Sequence, residues 1–77
     1  MTKVKIYTTP SCVYCKMAKD FFRENNVAYE EFDVASDAEK RQEMIEKSGQ
    51  MGVPVIDIGG ELITGFDKAK LKKLLSI

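Results

Sequence analysis

Cys12 and Cys15 are the only cysteines of the 77-residue chain, and Cys12-Val13-Tyr14-Cys15 holds them two residues apart. Histidine is absent, so one chain cannot assemble a four-ligand zinc site from cysteine and histidine. Two thiols at this spacing can exchange disulfides. One attacks a substrate disulfide to form a mixed disulfide, and the second displaces the substrate by closing a Cys–Cys bond. Two blander readings stand beside this one: small apolar packing residues, or half of a metal site shared by two chains. Local context favours redox chemistry. The pair lies where a strand pattern gives way to a helix pattern, and no second Cys-x-x-Cys follows it.

The position has a physical logic. The first turn of a helix carries unpaired N–H groups and the positive end of the macrodipole, and both stabilise a thiolate at Cys12. An ordinary thiol near pKa 8.5 is only about 3% ionised at pH 7, and lowering a thiol by two units takes about 2.7 kcal/mol. A helix dipole contributes about 0.3–1 kcal/mol and at most roughly 2. Direct N–H bonds to sulfur must supply the remainder, with Lys16 or Lys19 as candidates to help tune the thiolate. They follow Cys12 at i+4 and i+7, on one helical face. Cys15, three residues on and less exposed, is the expected resolving thiol.

Several elements must position this pair. Residues 3–8 alternate as a strand with Val4 and Ile6 on one face, and Thr9-Pro10-Ser11 breaks it. Tyr14, Met17, Ala18, Phe21 and Phe22 then recur at helical spacing until Asn25-Asn26. Residues 27–34 read as a strand. Ser36-Asp37-Ala38-Glu39 reads as a capping box with Ser36 as the cap. Its helix runs to about Ser48, stops at Gly49, and shows only a thin apolar face of Ala38, Met44 and Ile45. Residues 54–58 and 61–64 are short strands joined by Gly59-Gly60, a two-residue antiparallel hairpin. Asp67 caps a last helix in which Phe66 and Leu71 form a hydrophobic staple and Leu71, Leu74 and Leu75 the buried stripe. The fold class is therefore α/β: β-α-β-α-β-β-α, a four-stranded mixed sheet flanked by three helices, whose first crossover is parallel and right-handed. Residues 1–77 form one domain.

Composition narrows the partners. Apolar residues are 44% and charged residues 31% of the chain, which fits a compact domain and not a disordered one. Twelve basic and twelve acidic side chains cancel, so no global charge drives nucleic-acid binding. The balance is uneven: residues 1–26 carry five basic and two acidic groups, or +3, and residues 27–50 carry three against seven, or −4. No apolar run approaches the roughly 18 residues of a membrane span, and the start lacks a secretory stretch. The expected location is the cytoplasm, where thiols stay reduced. Lys68, Lys70, Lys72 and Lys73 read as a solvated helix face, and Glu30, Glu31 and Asp33 as exposed strand charges. Phe21, Phe22, Met17 and Met44 read as packing residues, while Met51 is placed to border a groove.

Met51-Gly52-Val53-Pro54 is the second feature. A proline opening a strand lacks the N–H of a ladder residue, so it sits at an edge or carries a cis bond. With Tyr7, Cys12-Val13-Tyr14-Cys15, Gly52-Val53-Pro54 and Gly65-Phe66-Asp67, essentially the whole chain resembles the glutaredoxins of the thioredoxin fold. The resemblance implies that Pro54 is cis and faces the cysteines, and that Val53 offers its backbone to glutathione or a peptide as an added strand. It implies that Gly65, Phe66 and Asp67 frame an anion site for the γ-glutamyl end, and that Tyr14 walls the groove. It implies a thiol–disulfide oxidoreductase, expected as a monomer, with no bound metal or organic cofactor, glutathione as co-substrate and disulfide-containing proteins as partners.

Two departures qualify that expectation. Val13 stands where glutaredoxins usually have proline. Thr9 stands where many carry the lysine that holds glutathione's glycine carboxylate, and losing that charge costs about 1.5–3 kcal/mol unless another cation, such as Lys16 or Arg41, replaces it. Thr9 therefore keeps open a redoxin recharged by thioredoxin reductase, similar to the hydrogen donors of ribonucleotide reductase. A third reading, of another class, is a glutathione-dependent iron–sulfur or metal-carrying dimer.

Overall fold

The computed structural model describes residues 3–77. Its elements are β1 (Val4–Thr8), α1 (Val13–Glu24), β2 (Glu30–Asp33), α2 (Ala38–Ser48), β3 (Val55–Ile58), β4 (Glu61–Thr64) and α3 (Lys68–Leu75). One sheet of order β2-β1-β3-β4 contains all four strands. β1 pairs parallel with β2 and antiparallel with β3, and β4 closes the hairpin on β3. This is the expected mixed sheet flanked by three helices.

Alternation along β1 divides the core. Val4 and Ile6 join Ala18, Phe21, Phe22, Ile56, Ile58, Ile63 and Leu71 in one cluster, which α1 and α3 cover. Tyr7 enters a second cluster with Val34, Met44 and Val55, which α2 covers. Each face thus has its own helical cover, and the cysteine segment leaves the C-terminal end of central β1 between them. Gly59 and Gly60 both take positive φ in the β3–β4 turn, where a side chain would be strained.

Four boundaries differ from the sequence reading. The strand expected over residues 27–34 is only Glu30–Asp33, since the Val27 amide bonds back to the Phe22 carbonyl at the exit of α1. Asp37, not Ser36, caps α2: its Oδ1 accepts the Lys40 amide at 3.1 Å. Ser36 instead belongs to a turn on Asp33, whose carbonyl accepts both its amide and its hydroxyl. Pro54 lies just outside β3, which begins at Val55. Cys12 is the cap of α1 and not its first residue. Two packing assignments change as well: Ala38 and Met17 are exposed.

α2 is held by little. Met44 is its one buried residue and is fully buried. Its second anchor is polar: the Tyr7 hydroxyl donates to Glu43 Oε2 at 2.7 Å, with Lys40 Nζ at 3.5 Å from the same oxygen. Burial and the Glu43 carboxylate push the Tyr7 phenol up, while the Tyr7 hydroxyl and Lys40 hold the Glu43 carboxyl below its ordinary range. Met44→Ala is expected to cost about 2–4 kcal/mol, read as a lower urea midpoint, against under about 1 for the same change at half-buried Ile45. A carboxyl with a depressed folded pKa stabilises above the unfolded value near about 4.3 and loses that contribution as pH falls through the folded value. The thermal midpoint should therefore fall as pH drops below about 4.3, less steeply in Glu43→Gln.

Candidate active site

α1 forms because its apolar residues fall on one stripe: Cys15, Ala18, Phe21 and Phe22 are buried against the sheet. That burial fixes the direction of the helix and brings its N-terminus over the end of β1. The cap is a sulfur. Cys12 has extended backbone dihedrals, and its Sγ accepts the Cys15 amide at 3.1 Å. The first turn contains no acidic residue, so no carboxylate competes for the positive end of the helix. Cys12 is half-buried and Cys15 is 1% exposed. Burial and the Cys12 sulfur push the Cys15 thiol up to about 12, while the Thr9 backbone and the Lys19 charge pull it the other way.

The loop before β3 meets this cap. The Val53–Pro54 peptide is cis. The Cys12 thiol points at the Val53 carbonyl oxygen, 3.8 Å away. Val53 lies outside β3, so its N–H and C=O are not spent on the strand ladder. Gly65, at φ +81°, donates its amide to the Pro54 carbonyl at 2.9 Å and so ties the entry to α3 onto the same loop. Asp67 then caps α3, its Oδ1 accepting the Lys70 amide at 3.1 Å. Phe66, half-buried, packs on the core cluster that holds Leu71, as a staple requires.

The sequence-derived residues separate into two groups. Cys12, Cys15, Val53, Pro54 and Gly65 come together through the contacts just described, and Phe66 and Asp67 follow Gly65 in the chain. Tyr14 and Val13 are exposed on the outer side of the first turn, and Met51, 72% exposed, leads into Val53. Thr9 accepts the Cys12 amide with its carbonyl at 3.3 Å. Lys16 is exposed and, among the described residues, has no ion-pair partner. The Lys19 ammonium is bound to Glu31 at 2.8 Å. Glu31 is the exposed strand charge its sequence context implied, and strand pairing also carries it beside Thr8 and α1, where it finds partners. A local pattern holds no signal for that pairing.

Among the described residues, no group of three or more cysteine, aspartate and glutamate side chains is arranged to hold a metal ion, and no helix is long and apolar enough to cross a membrane. Burial and high pKa both shield Cys15, so iodoacetamide at pH 8 should modify native protein at Cys12 alone. Peptide mass spectrometry should find Cys15 modified only after denaturation; comparable labelling of both would contradict the asymmetry.

Comparison with known proteins agrees with this geometry. The glutaredoxin family model matches residues 4–63. An uncharacterized glutaredoxin-like 8.6 kDa protein from the rubredoxin operon of Clostridium pasteurianum is 44% identical over 72 residues, which cover 94% of this chain and 96% of that protein. Glutaredoxin 3 of Escherichia coli K12 is 40% identical over 67 residues, or 87% of this chain and 81% of its own. The crystal structure of a point mutant of a thioredoxin-like protein superposes with a TM-score of 0.93 at 42% identity, covering 100% of this chain and 99% of that one. The chain therefore belongs to the glutaredoxin family of thioredoxin-fold thiol–disulfide oxidoreductases.

Proposed function

We propose that the protein reduces protein disulfides and glutathione mixed disulfides by dithiol exchange, with Cys12 as nucleophile and Cys15 as resolver. The observation that carries this reading is the Cys12 sulfur, capping α1 and facing the Val53 carbonyl. A substrate cysteine aligned with Val53 as an added strand brings its sulfur to Cys12. Cys12 attacks as thiolate, the first substrate sulfur leaves, and a mixed disulfide remains. Cys15 then attacks Cys12, releasing the second sulfur as a thiol and leaving the Cys12–Cys15 disulfide. The chain needs no bound cofactor for this, because both electrons come from its own thiols.

Glutathione is the co-substrate in this reading, restoring the dithiol. Its cysteine moiety lies along Val53 and Pro54, with Tyr14 as the outer wall. Its γ-glutamyl end meets Gly65, Phe66 and Asp67, where the Asp67 carboxylate already takes one amide of α3 and leaves the other first-turn amides for the ligand carboxylate. The protein acts as a monomer on disulfide-containing proteins in a reducing, cytoplasmic setting. Thr9 favours a second reading, recharging by thioredoxin reductase, because its side chain offers no charge to the glycine carboxylate.

Cys12→Ser should abolish turnover of every disulfide substrate, and residual activity would sink the assignment. Cys15→Ser should keep removing glutathione from mixed disulfides while losing protein disulfide reduction. Equal loss in both assays would contradict the division of roles. NADPH consumption, followed first with glutathione and its reductase and then with thioredoxin reductase, separates the two electron sources. The first reading predicts turnover with glutathione; turnover confined to thioredoxin reductase would replace it with the second.

A further inference from the structure

Between β1, β2 and α1 lies a partly exposed polar cluster that the exchange described above does not use. Thr8 is 2% exposed, and its hydroxyl donates to Glu31 Oε2 at 2.8 Å. Lys19 Nζ donates to the same oxygen at 2.8 Å. Lys19 follows Cys15 by four residues in α1, which places their Cβ atoms about 5–6 Å apart on one helical face. The ammonium is therefore tied from the sheet side, one turn along from a buried thiol. A lysine without such a tie spreads over many rotamers and keeps its charge in water.

Resolution demands what burial opposes. Cys15 must ionise to attack Cys12, yet it has almost no water around it. The groups that face it are Cys12 from the cap, the Thr9 backbone from the loop after β1, and Lys19 from α1. Lys19 supplies the one full positive charge among them. Lys19 itself is faced by Glu31 and Tyr29 as well as Cys15, and Glu31 by Thr8, Lys19 and Asp33.

We propose that Glu31 is a positioning residue which, anchored by Thr8, holds the Lys19 ammonium beside Cys15 so that the buried resolving thiol can ionise. The proposal rests on the reading of Cys15 as resolver. In the step concerned, Cys15 gives up its proton and its sulfur bonds to Cys12 Sγ. The bond between Cys12 and the substrate sulfur breaks, and that sulfur leaves with the bonding pair and takes up a proton. Lys19 stays protonated and Glu31 ionised throughout, so no added oxidant or reductant enters.

Stopped-flow mixing of the reduced protein with dipyridyl disulfide, a neutral probe with a coloured leaving group, separates attack by Cys12 from resolution by Cys15. Lys19→Met and Glu31→Gln should each slow the second phase by about three- to tenfold and move its pH profile upward. The first phase should change by less than about twofold, and Lys19→Arg should keep most of the wild-type rate. The Cys12–Cys15 potential in a glutathione buffer at pH 7 should not move, because Cys15 is a neutral thiol in the reduced form there. A misplaced Cys15 would shift the potential along with the rate, which would overturn the proposal in favour of a structural role. A second phase in Glu31→Gln as fast as wild type, or faster, would also overturn it. Absence of any second phase in the wild type would remove the resolver reading itself, and this proposal with it.

Discussion

A hydrogen bond from the Cys15 amide to the Cys12 sulfur makes a reactive group into a structural one. Helix N-termini ordinarily take a serine, threonine or aspartate oxygen as cap, as Asp37 and Asp67 do here for α2 and α3. At α1 the same duty falls to a thiol, a weaker acceptor when neutral and a far better one when ionised. The helix end and the thiol therefore want the same thing. An electron-rich sulfur satisfies the first turn, and the first turn favours an electron-rich sulfur. The rest of the fold keeps that sulfur beside the Val53 carbonyl.

Keeping it there requires both sheet faces. On one, the cluster of Ala18, Phe21, Phe22 and Leu71 sets how α1 and α3 lie on the strands. On the other, α2 rests on Met44 and the Tyr7–Glu43 hydrogen bond. The two meet at β1, which contributes Ile6 to one cluster and Tyr7 to the other, and whose end leads straight to Cys12. A chain this short has little core to spare, so the strand that centres the sheet also aims the site.

The two sulfurs, three residues apart, have opposite surroundings. Cys12 borders the surface and faces a carbonyl, while Cys15 is sealed and held as a thiol. Their asymmetry comes from the helix stripe, since position 15 falls on the buried side with Ala18 and position 12 on the cap. The Lys19 charge opposes the burial of Cys15, and its ammonium is bound by a carboxylate from β2. Charge near the site is thus arranged through strand pairing and not through helix spacing alone.

Local sequence determined much of this protein. The order of elements, the glycine hairpin, the Asp67 cap with its Phe66–Leu71 staple and the asymmetric cysteine pair were all legible, because each rests on residues within one or two turns of one another. Reading Ser36 as a cap failed one residue from the answer, since Ser36 and Asp37 are both good caps and a turn on Asp33 decided between them. What only the tertiary structure decided are the meetings of distant segments. Val53 reaches Cys12 across 41 residues, Glu31 reaches Thr8 across 23, and Glu43 reaches Tyr7 across 36. No periodicity encodes these pairings, because they follow from strand register and from which sheet face each helix covers, and those are settled only when the two clusters pack.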